Sequence, residues 1–135
     1  MEYFDTNIYV YAFCKNVDDE NQKKTSINLI RESLQNNTIL ASEMILYEFA
    51  FVSNKLQEED AVIEQNLKFI AQFVKPTSPN VYKRVMDMWK KGKYYSSSFD
   101  VFHLAFCEEN DCSLVTFDKG FKKLQKHTNV KIEIL

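Results

Sequence analysis

The chain has 135 residues, 45% of them hydrophobic and 27% charged, which excludes a disordered or fibrous polypeptide and suits one domain with a single core, residues 1–135. A formal net charge of −2 excludes a protein that holds nucleic acid by bulk positive charge, so any such contact has to be local. The three cysteines, Cys14, Cys107 and Cys112, form no CxxC pair for a zinc ribbon or redox centre; no apolar run reaches the ~18 residues of a membrane span; and Glu2 and Asp5 stand where a signal peptide is basic and then apolar, so reduced thiols and a cytoplasmic location are expected.

The opening "YFDTN", residues 3–7, reads as a short strand running into a loop, and "IYVYAF" as the helix after it. Glu20 to Asn36 carries Ile27, Ile30 and Leu34 at helical spacing, with "NN" at 36–37 as its stop. "TILAS", 38–42, predicts a short buried strand, and "ASEMILYEFAFV", 41–52, carries the chain into a helix. Asp60 is placed to cap the next helix, with Ile63, Leu67 and Ile70 on its apolar stripe. "FVKPTSP" breaks that helix and has room for a short edge strand. Ser78-Pro79 then opens a helix with Val81, Val85, Met88 and Trp89 on one face, ending near "KKGK". "SSFDVFHLAFCEEN" predicts a helix, "SLVTFD" a buried strand ending in Asp118, "KGFKKLQKH" a short helix, and "VKIEIL" a closing strand with Val130, Ile132 and Ile134 alternating. This alternation predicts an α/β domain of three layers, a mostly parallel central sheet with helices on both faces. The only two glycines, Gly92 and Gly120, exclude a dinucleotide fingerprint and a glycine loop that cradles phosphate.

In such a sheet, ligands gather at the carboxyl ends of the strands. Asp5 and Asp118 end predicted strands there. Glu48 lies early in the helix after "TILAS", and Asp100 in the first turn of a very apolar helix, so the four carboxylates are expected to converge. Each also has a bland reading. Asp5 and Asp118 suit turns or N-caps, and Ser97 with Asp100 has the spacing of a capping box. Glu48 is harder to dismiss, because Met44, Ile45, Phe51 and Val52 surround it at helical spacing and Lys55, the nearest base on that helix, lies about two turns away. A buried unpaired carboxylate costs on the order of several kcal/mol, far beyond any gain in helix propensity. A divalent cation with oxygen ligands, Mg²⁺ or Mn²⁺, would account for all four acids together.

"FDTNIYVYA", "ASEMILYEF" and "SFDVFHLAFCEENDCSLVTFDKGF", with the intervals between them, resemble the PIN-domain nucleases, above all the small VapC-like toxins of bacterial toxin–antitoxin pairs. The resemblance runs from Tyr3 to at least Phe121. It implies a divalent-metal-dependent endoribonuclease acting on single-stranded RNA, with Asp5, Glu48, Asp100 and Asp118 around one or two ions. It further implies that Asn7 and Thr116 orient carboxylates or water, that an antitoxin protein covers the groove, and that the chain forms a homodimer. The sequence departs from the family pattern at His103, where an aliphatic residue is usual, and at Cys112, where glycine commonly precedes "LVT". Neither is expected to touch the acids.

Other features read more plainly. His103 and Cys107 have a metal-ligand spacing, but a carboxylate-bridged di-iron site needs four helices, and His103 is expected to be a satisfied, partly buried histidine. "YKRVMDMWKKGKYY", 82–95, interleaves bases and aromatics in a way that can grip RNA, but a surface helix with a solvated basic face and Trp89 in the core is the preferred reading. Lys119, Lys122 and Lys123, with Lys126, are better placed to steer RNA, being next to Asp118. Two rivals remain: a non-catalytic PIN-like module that binds RNA or protein, and a haloacid-dehalogenase-type phosphatase, whose D-x-D motif is broken here by Asn7.

Overall fold

The computed structural model describes residues 1–92 and 98–135. Its elements follow in the order β1 (Glu2–Phe4), α1 (Thr6–Phe13), α2 (Glu20–Asn36), β2 (Ile39–Leu40), α3 (Glu43–Lys55), α4 (Asp60–Ala71), α5 (Pro79–Gly92), α6 (Ser98–Asn110), β3 (Ser113–Thr116), a 3₁₀ helix (Lys119–His127) and β4 (Ile132–Ile134). All four strands are parallel, in the order β2-β1-β3-β4.

Parallel strands need crossovers, and the crossovers bury both faces of the sheet. Tyr3 and Phe4 on β1 point to opposite faces and both are fully buried. Tyr3 packs against Phe106 of α6, with ring centroids 5.3 Å apart, and Phe4 meets Tyr9 of α1 edge-on at 6.2 Å. Helices therefore cover both faces of the sheet. Because β1 lies between β2 and β3, the chain leaves it in opposite directions, and the crevice at the carboxyl ends of β1 and β3 is the topological switch point.

Local signals set several boundaries. Asn37 takes a left-handed φ of 57° and ends α2, the role of an Asn just past a helix. Asp19 caps that helix by accepting from the backbone of Asn21 and Gln22. Pro79 starts α5 as expected, but the hydroxyl of Ser78 donates to Glu109 instead of capping. Asp60 is the first residue of α4 and not its cap; Glu59 occupies that position without a side-chain hydrogen bond. The edge strand expected in "FVKPTSP" is reduced to one parallel bridge between Ala41 and Val74. The predicted pairing of Ser97 with Asp100, and Lys93, Tyr94 and Tyr95 of the basic segment, lie outside the described residues.

Candidate active site

Asp5 follows β1 directly and is the N-cap of α1. Its Oδ1 accepts from the backbone N–H of Thr6 at 2.7 Å, while its Oδ2 accepts from Thr116 Oγ1 at 2.6 Å across the switch point. The same Thr116 oxygen accepts from Asn7 Nδ2 at 3.3 Å and from the backbone of Asp118 at 2.9 Å. Thr116 thus fixes the orientation of Asp5 and the turn that presents Asp118. Asp118 is exposed and caps the 3₁₀ helix, accepting from Gly120 N at 2.8 Å on Oδ1. The cap reading of both aspartates holds, and the caps stand at the shared edge the metal reading requires.

Glu48 corrects two expectations. Its helix buries Ile45, Phe49 and Ser53, whereas Phe51 is 66% exposed, so Glu48 lies on the flank of the buried stripe and not at its centre. Nor is it unpaired. His103 Nε2 lies 2.7 Å from Glu48 Oε1, with the imidazole fully buried and the carboxylate 28% exposed. The ring N–H points off the line to the oxygen, which makes this a close ion pair and not a well-aligned hydrogen bond. Thr6 Oγ1 donates to the same Oε1 at 3.2 Å, and among the described residues Oε2 has no partner.

His103, expected to stay clear of the acids, therefore touches one. Burial by itself would lower its pKa, but the Glu48 contact and the charges of Asp5 and Asp100 outweigh burial and raise it. Behind the ring, Tyr3 Oη lies 2.5 Å from His103 Nδ1 and 2.7 Å from Ser42 Oγ. A buried chain of polar contacts, Ser42–Tyr3–His103–Glu48, runs from the end of β2 to the acidic edge. The spacing of His103 and Cys107 gathers no metal-ligand cluster among the described residues, and Cys107 packs at its helix end beside Cys112.

Asp100 makes no hydrogen bond among the described residues. Burial pushes its pKa up to about 6, and the charges of Asp5 and Asp118, with a smaller contribution from Glu48, push the same way. Asp5 is raised too, by burial first, with Glu48 adding and His103, Thr116 and Thr6 opposing. Asp5, Glu48 and Asp118 are thus within electrostatic reach of Asp100, and Asp5 and Glu48 of each other. Glu58, the other buried acid, is of a different kind: the backbone N–H groups of Lys15 and Asn16 both donate to it.

Carboxylate oxygens suit Mg²⁺ or Mn²⁺, and of the four acids only Glu48 has a base within ion-pair distance among the described residues. Among the described residues Asp100 has no hydrogen-bond partner, Glu48 Oε2 is open, and the buried Asn7 Oδ1 is unsatisfied. Yet no three His, Cys, Asp or Glu side chains among those residues are gathered closely enough to hold an ion as they stand. Two carboxylates 4 Å apart would oppose each other by about 4 kcal/mol at an effective dielectric of 20, a repulsion that a divalent ion would relieve. The acids share an edge without closing on a common point.

The basic groups read as surface. Phe121 and Leu124 anchor the 3₁₀ helix while Lys119, Lys122, Lys123 and Lys126 face solvent. On α5, Arg84 is committed to Glu108 at 2.6 Å and Asp87 at 3.0 Å, and Lys91 pairs with Asp87 at 3.1 Å, so part of that cluster is spent on structure. Among the described residues no helix is long and apolar enough to cross a membrane.

A parallel α/β domain with an acidic crevice at its switch point is the class that fold and site define. The PIN domain family matches the chain across residues 3–127, and the chain belongs to it. That membership displaces the haloacid-dehalogenase reading. Three solved structures share the fold. VapBC2 from Rickettsia felis, bound to a DNA fragment from its promoter, has a chain 20% identical, with a TM-score of 0.70 over 100% of this chain and 99% of that one. FitAcB from Neisseria gonorrhoeae has one 16% identical, with a TM-score of 0.68 over 98% and 96%. VapBC-5 from Mycobacterium tuberculosis, a member of the VapBC family of toxin–antitoxin systems, has one 11% identical, with a TM-score of 0.62 over 99% and 98%. No curated protein matches the sequence.

Proposed function

We propose that the chain is a divalent-metal-dependent endoribonuclease that cleaves single-stranded RNA, the toxin of a toxin–antitoxin pair. The observation that carries this reading is the PIN fold with Asp5 bonded to Thr116 across the switch point, Asp118 held by the same threonine, and Glu48 bonded to Thr6 beside them. Asp5, Glu48, Asp100 and Asp118 would hold the ion. A divalent ion in that setting supplies a counter-charge for a phosphodiester and acidifies a water molecule.

The chain's own groups prepare the site. Thr116 and the Thr6 N–H hold Asp5 from both of its oxygens, His103 and Thr6 hold Glu48 through Oε1 and leave Oε2 available, and the turn to Gly120 aims Asp118. No side-chain nucleophile is needed. Lys119, Lys122 and Lys123, exposed just beyond Asp118, are placed to attract the RNA backbone locally in a chain whose net charge is −2.

An antitoxin protein is the partner this reading carries, because the toxin–antitoxin assemblies named above share the fold. Exposed Tyr82, Met86 and Phe99 border an apolar groove of about 710 Å³ that such a protein would cover. A homodimer follows from the same resemblance and is tested by the mass of the particle in solution. The decisive experiment incubates the purified chain and labelled single-stranded RNA with Mn²⁺ or Mg²⁺, with Asp5→Asn and a chelator as controls. Internal cleavage that needs the ion and Asp5 is expected. Binding without cleavage would establish the non-catalytic alternative.

A further inference from the structure

At the sheet edge opposite the acids, α6 turns into β3 through Asn110, Asp111 and Cys112. Asp111 takes a left-handed φ of 50°. The backbone N–H of Cys112 donates to the carbonyl of Cys107 at 3.1 Å, and that of Asp111 to Glu108 at 3.4 Å. This pair of bonds is a Schellman helix end, and it brings the side chain two residues past the cap against the one three residues inside it. Here both are cysteines. Cys112 Sγ lies 3.8 Å from the Cys107 carbonyl, so the two cysteine side chains sit side by side at the helix end. In this motif that contact is ordinarily between two apolar side chains, and buried cysteines ordinarily serve as small hydrophobic groups.

Two observations set this pair apart. Both residues line a cleft of about 700 Å³ shared with Lys126 and Asn129, with Cys107 fully buried and Cys112 6% exposed, so a small reagent approaches the pair from the Cys112 side. The thiols also differ: burial pushes Cys107 up, whereas Cys112 is lowered by the neighbouring Cys107 first and then by the N-terminal amine and Lys75, against burial and Asp111. Cys14 offers the contrast within one chain. It is buried beside Ser53 Oγ at 3.6 Å, with no second thiol and with its pKa raised by burial.

We propose that Cys107 and Cys112 form a dithiol modification site, which hydrogen peroxide converts to an intramolecular disulfide. The Cys112 thiolate attacks one peroxide oxygen and the O–O bond breaks. Cys112 becomes a sulfenic acid, and the departing hydroxide takes up the proton that the thiol released, giving water. The Cys107 sulfur then attacks the Cys112 sulfur: the S–S bond forms, the S–O bond breaks, and the second hydroxide leaves as water with the Cys107 proton. Two thiols and one peroxide become one disulfide and two waters. The backbone bond from Cys112 to Cys107 keeps the two residues adjacent, as a disulfide requires.

The test oxidises the full chain with hydrogen peroxide, denatures it, alkylates it with N-ethylmaleimide and reads the intact mass. Unoxidised protein takes up three maleimides, one for each cysteine. After peroxide, uptake is expected to fall to one, on Cys14, with a peptide linking Cys107 to Cys112 and full recovery after dithiothreitol. In the native, unoxidised protein Cys112 should alkylate at least about tenfold faster than Cys14, a comparison that needs no variant. Cys112→Ser should abolish the link. Three maleimides after peroxide, a sulfinic acid on Cys112 without a link, or a disulfide involving Cys14 or a second molecule would each overturn the proposal.

Discussion

Replacing Asp100 by Asn should make the metal-free protein more stable at neutral pH. The folded state holds the Asp100 carboxyl at about 6, against 3.8 for an ordinary aspartate, through burial and the charges of Asp5 and Asp118. Between those values the folded chain binds the proton more tightly than the unfolded chain. The associated stability is therefore complete below about pH 4, declines as pH rises, and is gone above about pH 6. The full difference is worth about 3 kcal/mol, and partial exposure of the group reduces it to about 1–2 kcal/mol by solvent screening. At pH 7.5, in chelator, Asp100→Asn should thus melt about 3–8 °C above the parent. Below pH 4 the two should converge. Divalent ion should reverse the order, because the parent gains a ligand that the variant lacks. Thermal or urea unfolding at half-unit steps from pH 4 to 8, with and without Mn²⁺, measures all of this. Equal apo stability at pH 7.5 together with an unchanged slope through pH 4–6 would refute the electrostatic account of the site.

Glu48→Gln should destabilise the apo protein by about 1–3 kcal/mol, because it strips the counter-charge from a buried imidazole. The pair's contribution is complete below the ordinary histidine range and fades as pH rises through the raised value of His103, so the loss measured by melting should be larger at pH 6 than at pH 9. Thr116→Val removes the donor to Asp5 and the acceptor for Asn7 and Asp118, and should cost about 1–3 kcal/mol and most of the proposed RNase activity, with Thr116→Ser restoring much of both. A Cβ at Gly120 would stand 2.9 Å from Asp118 Oδ1, so Gly120→Ala should displace that carboxylate and weaken Mn²⁺ binding in calorimetry while leaving the circular dichroism unchanged.

The order of strands and helices was legible in the sequence because each element is short, strongly patterned and bounded by its own signals. Asn37 ends α2, Pro79 begins α5, and the alternation implied crossovers and hence a parallel sheet. The positions of Asp5 and Asp118 were legible as well, since a carboxylate just past a strand lands at the carboxyl edge of the sheet wherever the strand lies. The company each acid keeps was not. Glu48 looked unpaired because the search for a base ran along its own helix, whereas its partner is His103 on α6. Tyr3, which holds the far side of that ring, is 100 residues from it in sequence. Phe51 passed for core on spacing, yet only the packing of neighbouring helices decides which part of an apolar arc is covered, and it left Phe51 in solvent.

The caps, turns and Schellman thiol pair arise within a few residues of chain, so local chemistry wrote them into the sequence. The Thr116–Asp5 bond, the His103–Glu48 pair and the pKa of Asp100 exist only where distant segments meet at the switch point. Burial and Coulomb interaction depend on what surrounds a group in space, and here only the tertiary structure fixed those surroundings.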